Sequence, residues 1–388
     1  MAAIKQFLAA TAISISTSLL AMGEATAFTF TKIADTNDAF TTFGFNPTIN
    51  NDGTVVFSAN SDAVGSGIFT SNGETTSTIT DTNGSFSLFG EKPVINDLGT
   101  VAFFANIDTV GSGIFTVSNG VTTTIAESNQ PRGAFGLPVI NNKSAVAYSS
   151  QVENGSAIFL SIDGSTTSIV DTNDSFSDFD GYAINDANTI AFSARLDTGE
   201  RGIFTITSDG VIFPIADTTS KFSFVFPPAI NNPGTVAFKG ILKEGTEGIF
   251  TVNNGTITTI ADNSNAFSFF ENPAINDVGT VAFKGVLKDG GLGIYTGPDP
   301  VADKVIAAGD TLLSSTVTNI YFSNKGLNNS NQIVFYAILA DGTGGIFRAD
   351  PESEPPTCIP EATPILGLLT VGVVGTTLGV VKRKSPVI

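Results

Sequence analysis

Histidine and tryptophan are absent from this chain, and cysteine occurs once in 388 residues. Without histidine there is no Ser-His or Cys-His nucleophile pair and no imidazole general base. Zinc and most transition-metal sites lose their usual ligands as well. The lone Cys358 cannot close an intramolecular disulfide, so stability has to come from packing. Charge is sparse and one-sided: 14% of residues are charged, with 36 acids against 18 bases, for a net charge of −18. Such a chain repels nucleic acid and anionic lipid. What these absences leave open is oxygen chemistry, either acid–base work by two carboxylates or calcium held by oxygen ligands.

What fills the chain is one pattern in seven copies: P-x-I-N-x-x-G-T-V-A-F-x-A, then G-I-F-T, then T-I-A-D. Its asparagine recurs at Asn50, Asn96, Asn141, Asn185, Asn231, Asn276 and Asn328, with five spacings of 44 to 46 residues and a last one of 52. Each copy holds four short strand candidates: P-x-I-N, T-V-A-F-x-A, G-I-F-T and the segment ending I-A-D. The β-branched and aromatic residues suit a pleated surface. Four strands in about 45 residues make one propeller blade. The fourth residue of N-x-x-G is Gly or Asn in six copies and Ser144 in the third, which predicts a left-handed turn position. The seven asparagines read as local backbone caps, against the alternative of an amide ring at a channel mouth.

The two ends of the array carry the closure. Phe28 to Asp35 reads FTFTKIAD, a fourth strand with no first three before it. The last copy stops after its third strand at Gly345 to Arg348. The expectation is an all-β, seven-bladed propeller closed by its N-terminal strand, which leaves no free edge inside the array. With 32 phenylalanines and five tyrosines, aromatic core filling is expected throughout.

Outside the array lie two address-like segments. Residues 1–27 read as a signal peptide, with Lys5, an apolar stretch, and Ala25-Thr26-Ala27 as the cleavage site. The array occupies 28–350, and a Pro- and Glu-rich linker occupies 351–358. The tail, 359–388, holds Pro360-Glu361-Ala362, an uncharged run at 365–381, and the basic end Lys382-Arg383-Lys384. Seventeen apolar residues sit at the lower limit of a membrane span, and the basic cluster holds its end in the cytoplasm.

The tail resembles the PEP-CTERM sorting signal of Gram-negative bacteria, cyanobacteria included, with Ala362 where that motif has its second proline. The resemblance implies an exosortase-type processing enzyme as partner, transient membrane contact, and delivery to the outer surface or extracellular matrix. The array resembles exported bacterial proteins with tandem NxxGxxAF repeats, complete here at 96–103, 231–238 and 276–283. That resemblance implies no biochemical activity and transfers no catalytic residue.

Acidic residues gather where the fourth strand leads into the next copy. Asp171, Asn173, Asp174, Asp178 and Asp180 are the densest group and the candidate Ca²⁺ ligands, against a reading as turn caps. Asp178 and Asp180 also offer a remote glycosidase pair. The recurrent pairs Phe40/Phe43, Phe86/Phe89, Phe176/Phe179 and Phe267/Phe270 are expected in the core rather than on an exposed binding face. Taken together, the sequence points to a non-catalytic binding or structural protein of the envelope or exopolysaccharide layer, meeting exopolysaccharide or other envelope proteins. A carboxylate-dependent polysaccharide hydrolase or lyase is the alternative.

Overall fold

The computed structural model describes residues 27–352 apart from 109–110, 130–134 and 174. The signal segment up to Thr26 and the tail from Ser353 lie outside the described residues, and with them Ala25, Asp174, Pro360, Glu361, Ala362, Lys382, Arg383 and Lys384. No helix among the described residues is long and apolar enough to cross a membrane.

Seven antiparallel sheets follow one another along the chain, one per repeat, in a seven-bladed β-propeller. The second copy shows the plan. Phe86–Phe89 and Val94–Ile95 both pair with Val101–Ile107, which pairs with Ser112–Ser118, which pairs with Val121–Ser128. The inner strand is therefore longer than P-x-I-N alone: it begins at the paired phenylalanines, which lie on strands and not in loops. Pro93 and the residues before it break the ladder, because proline offers no N–H to the neighbour. Burial explains the sequence pattern. The two middle strands are buried on both faces, so V-A-F and G-I-F read as continuous apolar runs, while the outer strand is exposed and threonine-rich.

The core lies between blades. Val56 and Ile68 of the first blade pack against Phe86, Phe89, Val101, Phe103 and Phe115 of the second. Phe86 meets Phe103 edge-on at 5.6 Å and Phe115 at 4.8 Å. The same phenylalanine trio recurs with Phe176, Phe192 and Phe204. The glycine of G-I-F-T makes room for it: a Cβ on Gly113 would sit 2.7 Å from the Phe115 ring. Each buried ring contributes about 2–3 kcal/mol by area removed from water.

Closure follows the expected seam. Phe28–Asp35 pairs antiparallel with Gly344–Pro351, from Phe28↔Pro351 to Asp35↔Gly345. Ile33 and Ala34 then pack with Phe40, Phe43 and Phe57 of the first blade and Tyr336 and Ile346 of the last. The longest repeat spacing is absorbed after Ala307, where Thr311–Leu312 forms a hairpin with the start of Ser315–Leu327 before the inner strand resumes.

Candidate functional site

The first-to-second strand turns meet at the narrow end of the channel. The left-handed position is occupied in all seven copies, with φ from 57° at Asn331 to 91° at Gly279, and Ser144 conforms at 63°. The turn asparagines do more than cap. Each Oδ1 accepts the backbone N–H four residues on, at 2.7–3.0 Å. Each Nδ2 donates to the backbone carbonyl of the equivalent asparagine in the next blade, at 2.9–3.3 Å. The series returns from Asn328 to Asn50, so the ring is complete.

A second ring runs beside it through the following residue: Asn51, Asp97, Asn142, Asp186, Asn232, Asp277 and Asn329. Every backbone N–H in it donates to the next blade's Oδ1 at 2.8–2.9 Å. Asparagine and aspartate alternate so that amides bridge carboxylates, as Asn232 Nδ2 does between Asp186 and Asp277. Seven is odd, and the one like pair, Asn329 beside Asn51, falls at the seam. The first ring is 2–5% exposed. These amides hold the blades together and are closed to a ligand.

The wide end is built by irregularities of the inner strand. In the second blade, Phe89 pairs with Ala105 and Val94 with Ala102, so Gly90, Glu91, Lys92 and Pro93 span only two partner residues. The first blade repeats this between Phe43↔Ala59 and Thr48↔Val56. Comparable shifts occur at Phe179/Gly181 and at Phe322/Leu327. Bulges push residues out of the ladder and recur beside functional sites. Here they deliver Asn46, Lys92, Leu137, Asp180, Phe226, Asn272 and Asn324 to one cavity of about 610 Å³. A smaller space of about 120 Å³ continues at the narrow end, lined by Asn324, Lys325 and the asparagine turns.

Cations converge on this mouth although the chain is strongly acidic. Lys239 pairs with Glu247 at 3.1 Å and lies 4.4 and 3.9 Å from the Phe226 and Phe269 ring centres. Lys284 pairs with Glu271 at 2.8 Å, and Arg201 pairs with Asp180. Lys92 donates to the neutral Asn324 Oδ1. Burial, and then the nearby Lys325 ammonium, push the Lys92 amine down to about 8. Burial also lowers the Lys325 amine, opposed by Asp277 and Asp186. The Tyr182 hydroxyl donates to the Leu137 carbonyl at 2.7 Å and accepts from Ser149 N–H at 2.8 Å, tying two blades at the rim.

The described members of the acidic group, Asp171, Asn173, Asp178 and Asp180, do not share one cavity. Asp171 Oδ1 accepts the Asn173 N–H at 2.8 Å, a turn cap. Asp35, Asp81, Asp217 and Asp262 cap their loops in the same way. Asp178 accepts its neighbour's N–H at Phe179, outside the cavity, while Asp180 lines the cavity in its ion pair with Arg201. The two do not face each other across one pocket. Among the described residues no group of three or more acidic or thiol side chains could hold a metal ion. Sequence reasoning missed Lys92 and the bulges. The signal was there: between F-x-x-F and P-x-I-N the copies read GFN, GEK and GL, then FP and EN, varying on an otherwise repeated frame.

A family model described as "Family of unknown function (DUF7453)" matches residues 74–355. No curated protein sequence matches the chain. Among solved structures, oligogalacturonate lyase from Vibrio parahaemolyticus is 13% identical with a TM-score of 0.52, over 86% of this chain and 100% of that one. An oligogalacturonate lyase in complex with manganese is 12% identical with a TM-score of 0.51, over 85% of this chain and 97% of that one. TolB from Acinetobacter baumannii is 12% identical with a TM-score of 0.43 over 85% of this chain, which spans 64% of that protein. At these identities the likeness concerns the fold.

Proposed function

We propose that this chain, which belongs to the DUF7453 family of unknown function, is an exported, non-catalytic propeller that binds a component of the envelope or exopolysaccharide layer at its wide channel mouth. The observation carrying this reading is the 610 Å³ cavity, where seven inner strands of nearly repeated sequence present five different residue types. Cavities of about 300–1,000 Å³ with a few convergent polar groups are typical of ligand sites. Its lining favours holding over reacting. Asp180 and Glu271 are each committed to an ion pair, and amides and aromatic rings supply half of the rest.

Export rests on the two ends of the sequence. On this reading the signal peptide is cut after Ala27, an exosortase-type enzyme processes the Pro360 region, and 365–381 touches the membrane in transit. The mature protein then resides at the outer surface or in the matrix of a Gram-negative cell.

One observation favours the second reading, a carboxylate-dependent polysaccharide hydrolase or lyase: Asp180 and Glu271 line the same cavity, on a fold shared with oligogalacturonate lyases. Incubating the protein with extracellular polysaccharide from the producing cells separates the two. Binding with no new reducing ends and no unsaturated product supports the binder. Shortened polymer, abolished by Asp180→Asn or Glu271→Gln, establishes the enzyme instead.

A further inference from the structure

Four cations stand in or beside the mouth cavity, and three of them are neutralised. Lys239, Lys284 and Arg201 each hold a carboxylate within 4 Å or less. Lys92 does not: among the described residues its ammonium has the Asn324 amide oxygen as hydrogen-bond partner and no carboxylate at ion-pair distance. Behind it, Lys325 has no ion pair among the described residues either, and Asp277 and Asp186 act on it at longer range. A half-buried ammonium without a counter-charge is costly, and the cost is relieved when an anion arrives.

The rest of the lining says what carries that anion. Asn46, Asn272 and Asn324 offer both donors and acceptors, the pairing that hydroxyl groups use. Phe226 and Phe269 lie in the same cavity, and Phe269 keeps 45% of its surface open. Flat aromatic faces beside amides suit the CH-rich face and hydroxyl edge of a sugar ring. Phosphate is less suited, because it is held best by arginine forks or clustered backbone N–H groups. The arginine beside this site, Arg201, is already occupied by Asp180.

We propose that the wide mouth recognises a uronic acid residue, its carboxylate on Lys92 and its ring among Phe226, Phe269 and the asparagine amides. This rests on the binding function proposed above and names the class of sugar. The −18 charge of the chain works against long polyanions at low salt, so short acidic chains or chain ends are the ligands expected to enter.

Calorimetric titration of the full-length protein tests this with five probes: glucuronate, digalacturonate, glucose, cellobiose and inorganic phosphate. The expected result is saturable binding of the two uronates at least tenfold tighter than of the neutral sugars or phosphate. Lys92→Met should weaken the uronates tenfold or more and leave the neutral sugars unchanged. Lys92→Arg, which keeps the charge, should recover part of the loss, and Phe269→Ala at an exposed position should weaken binding without affecting folding. Equal binding of cellobiose and digalacturonate would overturn the uronate assignment and leave the matrix-binding reading standing. Phosphate competing as strongly as uronate would reduce the site to a general anion hole. Failure of every saccharide would overturn the uronate assignment, and the polysaccharide assay above decides the binding reading separately.

Discussion

Each turn asparagine spends both ends of its amide, Oδ1 on its own turn and Nδ2 on the next blade. That dual use makes a sharp prediction for Asn231→Asp. The aspartate keeps the cap and loses the inter-blade donor, placing a carboxylate against the Asn276 carbonyl at a position 4% exposed. It should destabilise the protein by about 2–4 kcal/mol, no less than Asn231→Ala. Asp217→Ala, which removes a partly exposed loop cap, should cost about 1 kcal/mol by comparison. Urea denaturation gives both numbers, and an Asn231→Asp variant as stable as wild type would mean the inter-blade bond contributes nothing. Lys92 makes the opposite prediction. Its folded pKa of about 8 lies below the ordinary 10.5, so the unfolded state holds the proton more tightly. The resulting penalty is full below pH 8 and fades between 8 and 10.5. Lys92→Met should therefore be more stable than wild type at pH 7 by about 1–3 kcal/mol, after allowance for water in the channel. The gain should vanish near pH 10.5 in a pH series of denaturation curves. Tyr182 and Tyr295, raised to about 12, stay protonated across that window.

Among elements, the N-terminal strand holds the ring shut. It supplies the outer edge of the last blade, while Phe28 and Phe30 pack on that blade's core and Ile33 and Ala34 on the seam. Deleting residues 28–35 exposes Gly344–Pro351 as a free edge and opens the apolar seam. The deletion should lose more than about 3 kcal/mol and expose the chain to edge-to-edge association. A scattering measurement should show larger species, and an unchanged melting curve with a monomeric profile would contradict the closure. This strand was legible because FTFTKIAD repeats the fourth-strand pattern and the last copy lacks one. The left-handed turns were legible for the same kind of reason, a position restricted to Gly and Asn; Ser144 follows the fold against its own preference. The inner strand was not legible in full. Phe86-Ser87-Leu88-Phe89 shows no two-residue alternation, and Gly90 to Pro93 interrupts the run, so the segment reads as loop when only local pattern is used. The aspartate caps were readable as turn chemistry. Lys92 was not, because nothing local marks a bulged residue as facing an axis shared by seven blades.

At the scale of the whole molecule, the propeller uses repeated residues to hold its blades and variable ones to line a cavity. The narrow end spends its repeated residues on two hydrogen-bonded rings, and the wide end uses the variable ones to line a cavity. The proposed export route belongs to this scale as well. Intact-mass analysis of protein from the native host should find the chain starting at Phe28 and lacking 365–381, with the tail retained when the exosortase is deleted. Full-length C-termini in the membrane fraction of both strains would make the tail an ordinary anchor. The central claim, that ligand enters at the wide mouth, is tested most directly by hydrogen exchange on the protein with and without extracellular polysaccharide fragments from the producing cells. The account predicts added protection in the bulge segments 44–47, 90–93, 270–273 and 322–326, with the outer strands unchanged. Protection confined to the outer strands or to the aspartate-capped loops, with the bulges unchanged, would contradict it.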